Sequence, residues 1–328
     1  MYYSIYYMTT PRCILNCGYC FRDTTPESIA SELPVKKIKE LVTHLYEKFH
    51  VRKLTISGGE PTVLGGVKNT NFLELIRHLR QFKSESKEDN LRVELLSNAV
   101  NLTPDITEQL VGVVDRITIT LDSLDETVLS KIGRNTGPYR DYVSRFRERF
   151  ADFTAKGFDL KLHSVITPVN YDSLVPLAEY IASCKEFRVS RWKFYQYMTY
   201  GQPEKDLVYA IEDDKYFAIA DKIRIALSDT DIELSFKDNK LMTDTMFNLL
   251  HSGKIEYFTI ENGVRTRHLS DILTNYSGWD ELAEKCAIDR AMIDKIGMRF
   301  SLPQSILAYC FVKIFRPSRH ENCKGEFF

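Results

Sequence analysis

The sequence predicts an α/β fold built on a parallel sheet, and two observations predict it. Over the first two thirds of the chain, strand-like and helix-like segments alternate through six strand–helix units. Such alternation calls for parallel strands joined by right-handed crossovers. The second observation is where the reactive residues fall. The thiols, paired glycines and small polar side chains gather at or just past the strand ends, which in such a sheet open onto one mouth.

The elements follow in order. Tyr2–Met8 is aromatic and alternating, hence a strand, and it stops at Thr9-Thr10-Pro11. In Val35–Phe49, Ile38, Leu41, Val42 and Leu45 share one helical face. Lys53–Ser57 is a short strand ended by Gly58-Gly59. Phe72–Phe82 is helical, Arg92–Ser97 a strand closed by Asn98, Pro104–Val111 a helix and Arg116–Leu121 a strand. A helix over Asp125–Ile132 stops at Gly133, and another covers Arg140–Lys156. Asp159–Ile166 is a strand, Ser173–Cys184 a helix and Arg191–Tyr197 a strand.

After Gly201 the pattern changes. Asp213–Leu227 is helical and Asp231–Phe236 a strand. Ile255–Ile260 and Val264–His268 form a hairpin about Asn262-Gly263. The tail from Trp279 is mostly helical and ends in a basic stretch. The expected division is therefore residues 1–200, carrying the strand–helix units, and residues 201–328, a helical and hairpin extension that caps them.

Composition narrows the function. With 328 residues, 44% of them hydrophobic, the chain can build a sizeable core. A net charge of −1 gives no reason to expect a nucleic-acid or membrane surface. No apolar run is long enough to span a bilayer, and no secretory leader is expected. Seven cysteines, three of them bunched, suit a reducing cytoplasm better than a disulfide scaffold. Cys184 and Cys286 lie in helical patterns as small core residues. Cys310 and Cys323 are candidates for a second cluster, but their spacing matches no compact ligand pattern.

Cys13, Cys17 and Cys20 follow the first strand in the run Cys-Ile-Leu-Asn-Cys-Gly-Tyr-Cys. Three thiolates can ligate three irons of a four-iron cluster, leaving one iron open for another ligand. They also allow a structural zinc completed by a distant histidine. In Gly58-Gly59-Glu60-Pro61, the glycines permit close backbone approach and Glu60 can accept from an ammonium group. Ser97-Asn98 and Thr120 with Asp122 close the next two strands, where such groups bind a ribose or a carboxylate, or simply make turns. Arg134, just past Gly133, can grip a carboxylate in bidentate fashion or lie solvated. Lys161 and His163 share one face of their strand, as Arg191 and Lys193 share one face of theirs. Buried cations at such sites are costly unless an anion compensates them. The alternative is a set of salt-bridged side chains on the rim.

The cysteine spacing, with aromatic Tyr19 before the last cysteine, resembles the radical S-adenosylmethionine superfamily over residues 1–200. The resemblance implies a partial (β/α)6 barrel, a 4Fe-4S cluster on Cys13, Cys17 and Cys20, and S-adenosyl-L-methionine on the open iron. Reductive cleavage of that cofactor would give a 5′-deoxyadenosyl radical. Tyr19, Gly58, Gly59, Glu60, Ser97, Asn98, Thr120, Asp122, Arg134 and Val165 would bind the cofactor. A flavodoxin- or ferredoxin-type donor would supply electrons.

A narrower resemblance, strongest over 117–201, is to viperin and its prokaryotic relatives. It rests on Leu160-Lys161-Leu162-His163-Ser164-Val165-Ile166 with Asn170, and on Arg191-Trp192-Lys193-Phe194-Tyr195-Gln196. Lys237–Met242 and the hairpin after Gly253 are loosely similar to that family's extension. It implies dehydration of a nucleoside triphosphate such as CTP to its 3′-deoxy-3′,4′-didehydro form, a lyase reaction linked to antiviral defense. Lys161, His163, Arg191 and Lys193 would meet the anionic substrate. His163 stands where those proteins carry asparagine, and Tyr195 and Tyr197 alter the sixth strand. Other branches act in cofactor or nucleoside-antibiotic assembly or on peptides. A peptide modifier would be expected to carry a cysteine-rich C-terminal domain, and cysteines after residue 200 are sparse. A non-catalytic cluster or zinc module would leave Gly58–Pro61 and Arg134 unexplained.

Overall fold

The computed structural model describes residues 2–86, 88–134, 141–199, 202–239, 248–261 and 264–286, with 288 and 293. Seven parallel strands lie side by side in chain order: β1 (Tyr3–Met8), β2 (Val51–Ser57), β3 (Arg92–Ser97), β4 (Arg116–Thr120), β5 (Asp159–Ile166), β6 (Arg191–Gln196) and β7 (Glu233–Lys237). Each crossover steps in the same direction, so right-handedness puts the helices on one face. The helices are α1 (Pro26–Ala30), α2 (Val35–Lys48), α3 (Thr70–Leu79), α4 (Pro104–Leu110), α5 (Glu126–Ile132), α6 (Tyr142–Ala155), α7 (Leu174–Ser183), α8 (Pro203–Tyr209), α9 (Asp213–Ala226) and α10 (Trp279–Cys286). α2 touches α3, α3 touches α4, α4 touches α6, and α7 touches α9, as expected of one outer layer. The sheet is not closed; the fold is a partial α/β barrel.

Strand alternation separates two environments. Leu160, Leu162 and Ile166 of β5, with Trp192 and Phe194 of β6, enter the apolar layer under the helices. The opposite face carries Lys161, His163 and Val165, paired across β6 with Arg191, Lys193 and Tyr195. That face forms a polar lumen.

The chain after residue 201 extends the same sheet at both edges. β7 pairs with β6. At the other edge β8 (Asn248–Leu249) pairs in parallel with β1, and β9 (Lys254–Glu261) and β10 (Val264–Ile272) follow antiparallel. α10 is anchored by Trp279, whose Nε1 donates to Phe49 O at 2.8 Å. α1, α8 and β8 are additional to the sequence reading, and the helix begun at Thr70 ends in a 3-10 turn over Arg80–Phe82. The Asn262-Gly263 turn, Arg140, Lys240–Met242, Cys310, Cys323 and nearly all of the tail beyond Cys286 lie outside the described residues. Among the described residues, no helix is long and apolar enough to cross a membrane.

Candidate active site

The cysteine loop is seated by backbone. Leaving β1, the chain runs beside the chain leaving β2: Gly59 N donates to Thr10 O at 2.6 Å and Glu60 N to Arg12 O at 2.7 Å. Gly58 sits at φ +145°, and a Cβ there would lie 2.5 Å from Thr10 O; one on Gly59 would overlap Arg12 O. The glycine pair therefore lets the two loops close on each other. At its other side, Gly18 N donates to Ile132 O at 2.8 Å. Gly133, at φ +89°, leaves no room for a Cβ against Asn16 O. Tyr209 of α8 covers Gly18, where a side chain would overlap its hydroxyl.

Glu60 is fully buried and satisfied within the protein. Thr62 N (3.2 Å), Thr62 Oγ1 (2.8 Å) and Ser97 Oγ (2.9 Å) donate to Oε1, and Asn98 N (2.7 Å) donates to Oε2. Burial pushes its carboxyl up, against those four hydrogen bonds. The side chain ties the loop after β2 to the end of β3.

A second network joins the ends of β4 and β5 to the cysteine loop. Arg134 Nε donates to Asp122 Oδ2 at 2.6 Å and Nη2 to Tyr19 Oη at 2.5 Å; Tyr19 Oη donates to the same carboxylate at 2.6 Å. Asp122 Oδ1 accepts from Val165 N at 2.9 Å. Burial opposes the Arg134 charge, but Tyr19, Cys17 and Asp122 outweigh it. Tyr142 Oη connects this network to the first by bonding Asn98 O (3.3 Å) and Thr120 O (3.0 Å). The structure thus brings Tyr19, Gly58, Gly59, Glu60, Ser97, Asn98, Thr120, Asp122, Arg134 and Val165 to one edge of the sheet.

Below that edge lies the lumen. Glu94 accepts from Lys161 Nζ at 2.5 Å and from Thr118 Oγ1 at 2.8 Å, with Lys53 Nζ 3.4 Å away. Burial opposes the Glu94 charge, yet Lys161 and Lys53 hold the carboxyl well below its usual range. Burial lowers Lys161 to about 8 despite Glu94. Arg191 forms a fork with Glu233 of β7. Among the described residues Lys193 has no ion-pair partner, and burial, with Lys161 and Arg191 nearby, depresses it well below the usual lysine range. His163 is buried, and its Nε2 has no hydrogen-bond partner. Of the four lumen residues read from sequence, two are ion-paired and two are not. Lys53, Glu94, Tyr142 and Tyr209 were missed.

The thiol loop fits an iron–sulfur cluster. Cys13, Cys17 and Cys20 are half-buried and reduced. Burial raises the Cys13 thiol and pushes Cys17 up to about 12, so each would give up its proton only to a metal that binds thiolate. Cys13 Sγ accepts from Leu15 N (3.4 Å) and Asn98 Nδ2 (3.7 Å), donors of the kind that tune cluster sulfurs. Among the described residues no three His, Cys, Asp or Glu side chains converge to hold a single metal ion. A cluster does not need them to, since each thiolate takes a different iron.

Known proteins bear on this arrangement. The family model described as Radical SAM superfamily matches residues 7–181. An S-adenosylmethionine-dependent nucleotide dehydratase of Flammeovirga pacifica is 25% identical over 213 residues, 62% of this chain and 66% of its own length. A probable GTP 3′,8-cyclase of Methanococcus aeolicus is 26% identical over 171 residues, 52% of each chain. The matches therefore span about half to two thirds of these relatives. Among solved structures, Streptococcus suis SuiB bound to S-adenosylmethionine aligns over 88% of this chain and 68% of its own, with TM-score 0.64 and 15% identity. anSMEcpe with bound AdoMet and the Kp18Cys peptide aligns over 89% and 82%, with TM-score 0.59 and 14% identity. At such identity the likeness is one of fold.

Proposed function

This chain belongs to the radical S-adenosylmethionine superfamily, and on that premise we propose that it is an enzyme acting on a nucleoside triphosphate, removing the 3′-hydroxyl after loss of the 4′-hydrogen. The cofactors of the family are a 4Fe-4S cluster and S-adenosylmethionine. When bound, they supply a primary carbon radical that abstracts hydrogen from substrate. Cys13, Cys17 and Cys20 hold the cluster, and Gly58–Glu60, Ser97, Asn98, Thr120, Asp122, Arg134 and Val165 frame the cofactor. A flavodoxin- or ferredoxin-type protein delivers the electron. The chain's own work is to fix geometry and exclude water around the reacting carbon.

The observation that carries the substrate reading is the charge of the lumen. Lys161, Arg191 and Lys193 project from two adjacent strands, and Lys193 has no counter-ion among the described residues. A half-buried cation without a partner carries a desolvation cost; a polyphosphate would offset that cost. The nucleotide substrates named for the dehydratase and cyclase relatives support the same class.

The test is anaerobic. The chain is reconstituted with iron and sulfide, given S-adenosylmethionine and dithionite, and offered CTP, UTP, GTP and ATP separately. One of them is expected to accelerate release of 5′-deoxyadenosine and to appear as a product lighter by one water. If none of the four raises that release above background, the nucleotide reading is wrong.

A further inference from the structure

We propose that His163 binds the substrate's phosphate chain as a charged ring, taking up a proton as the nucleotide enters. The inference rests on reading the lumen as a nucleotide site and assigns one residue within it a distinct role.

The argument begins with register. Across β5 and β6 the lumen-facing pairs are Val165 with Tyr195, His163 with Lys193, and Lys161 with Arg191. Successive pairs are about 6.6 Å apart along the strands. The outermost pair belongs to the cofactor edge, because Val165 N is held by Asp122. A sugar ring placed at that level puts its first phosphates beside His163 and Lys193, one pair deeper.

The surroundings of His163 explain its state without ligand. It is 8% exposed, and its Nε2 has no partner. The Tyr195 ring meets it edge-on, with centroids 5.1 Å apart. The charged groups around it are Lys161 on its own strand, Lys193 and Arg191 on β6 and Glu94 on β3; on β4 its neighbour is uncharged Thr120. Further out, Lys53 shares Glu94, Glu233 of β7 covers Arg191, and Lys237 stands near Lys193. Glu94 is already engaged by Lys161, and at the ring the cations prevail, Lys161 first and then Lys193. Burial first, then Lys161 and Lys193, keep the imidazole neutral well below its usual titration range.

A nucleoside triphosphate reverses the sign of that field. Several negative oxygens arrive next to a ring that had been kept neutral by cations, and the unpartnered nitrogen becomes a hydrogen-bond donor to an anion. Charge-assisted hydrogen bonds of this kind are the strong ones. A neutral side-chain amide at this position could donate, but could not change its charge.

The experiment uses the cluster-loaded chain with S-adenosylmethionine and no reductant, so that binding occurs without turnover. CTP, UTP, GTP and ATP are titrated calorimetrically near neutral pH in two buffers of different ionisation enthalpy, which reports protons taken up per nucleotide. The same is done with His163→Asn and His163→Gln. The expected result is net uptake by the unmodified chain and less uptake by both variants, which still bind. The Kd of the unmodified chain should also rise with pH more steeply, by up to about tenfold per unit. Binding with no uptake, or with equal uptake in the variants, overturns the inference and leaves the nucleotide reading standing. Failure of all four nucleotides to bind the unmodified chain removes the nucleotide reading, and the inference with it.

Discussion

Replacing Gly133 with alanine should cost the protein its cluster before it costs the protein its fold. Gly133 ends α5 at φ +89°, and a Cβ there would overlap the carbonyl of Asn16 in the cysteine loop. Gly157, after α6, is a built-in control: it sits at φ +78° with nothing within 4 Å of an added Cβ. Each substitution carries the left-handed penalty of a non-glycine residue, about 1 kcal/mol. Only Gly133→Ala adds a clash with backbone, which cannot rotate away and costs about 1–3 kcal/mol more. That clash is relieved by moving residues 16–18, which carry Cys17. The assay measures iron and sulfide per chain after anaerobic reconstitution, alongside thermal denaturation of the metal-free protein. Gly157→Ala should keep its iron and lose about 2 °C. Gly133→Ala should lose more stability and most of its iron. Equal stability losses with equal, full iron content would refute the claim that Gly133 seats the loop.

The lumen lysines should respond in opposite directions. Lys193→Met removes a half-buried cation without a counter-ion among the described residues and should raise stability by up to about 1 kcal/mol while weakening nucleotide binding; Lys161→Met leaves Glu94 to Lys53 and Thr118 and should destabilise by about 3 kcal/mol, both read from urea midpoints. The His163 ring titrates below its ordinary 6.5 in the folded chain, so the unfolded chain binds more protons in that window. Stability without nucleotide should therefore fall as pH drops below 6.5, by up to about 1.4 kcal/mol per pH unit, and this slope should shrink in His163→Asn. Arg134→Lys keeps the charge but cannot reach Asp122 and Tyr19 together. It should weaken S-adenosylmethionine binding about tenfold or more in equilibrium dialysis, and unchanged affinity would remove Arg134 from the cofactor site.

Where strands and helices carry strong periodicity, they were legible in the sequence. Asp159–Ile166 was read to the residue, and Gly133 stops α5 as expected, while Asp125, read as the first helical residue, is its N-cap. Short elements carry no period to read. β8 has two residues, and α8 offered only Pro203 at its start with Glu204 and Asp206 in its first turn. The fate of Glu60 was invisible for another reason: its partners Ser97 and Asn98 lie at the end of β3, which only the fold brings beside the loop after β2. The lumen was more readable than it was read. Lys53-Thr55-Ser57, Arg92-Glu94 and Arg116-Thr118-Thr120 place polar residues at alternate positions, with Arg52 and Ser97 off that period. A parallel sheet covered on both faces would be apolar throughout. This alternation already implied one polar face, and it would have found Glu94.

The two halves of the site are built on opposite electrostatic terms. At the cofactor edge, charge is matched: Asp122 is paired with Arg134 and Glu60 is saturated by four donors, so those side chains have little freedom to move. Deeper in the lumen, charge is mismatched, and pairing ranks the cations by how much each has left to give. Arg191 is committed to Glu233, which β7 brings to the sheet edge. Lys161 is committed to Glu94, but Lys53 stands ready at 3.4 Å to hold that carboxylate if Lys161 turns away. Lys193 is committed to nothing described. An anion entering from the mouth therefore meets the least engaged cation together with the neutral ring of His163 before it reaches the paired ones. A rigid edge above an unsatisfied lumen is what a radical reaction needs. On the nucleotide reading proposed above, the uncommitted charge of Lys193 is what would draw the substrate toward the cofactor edge.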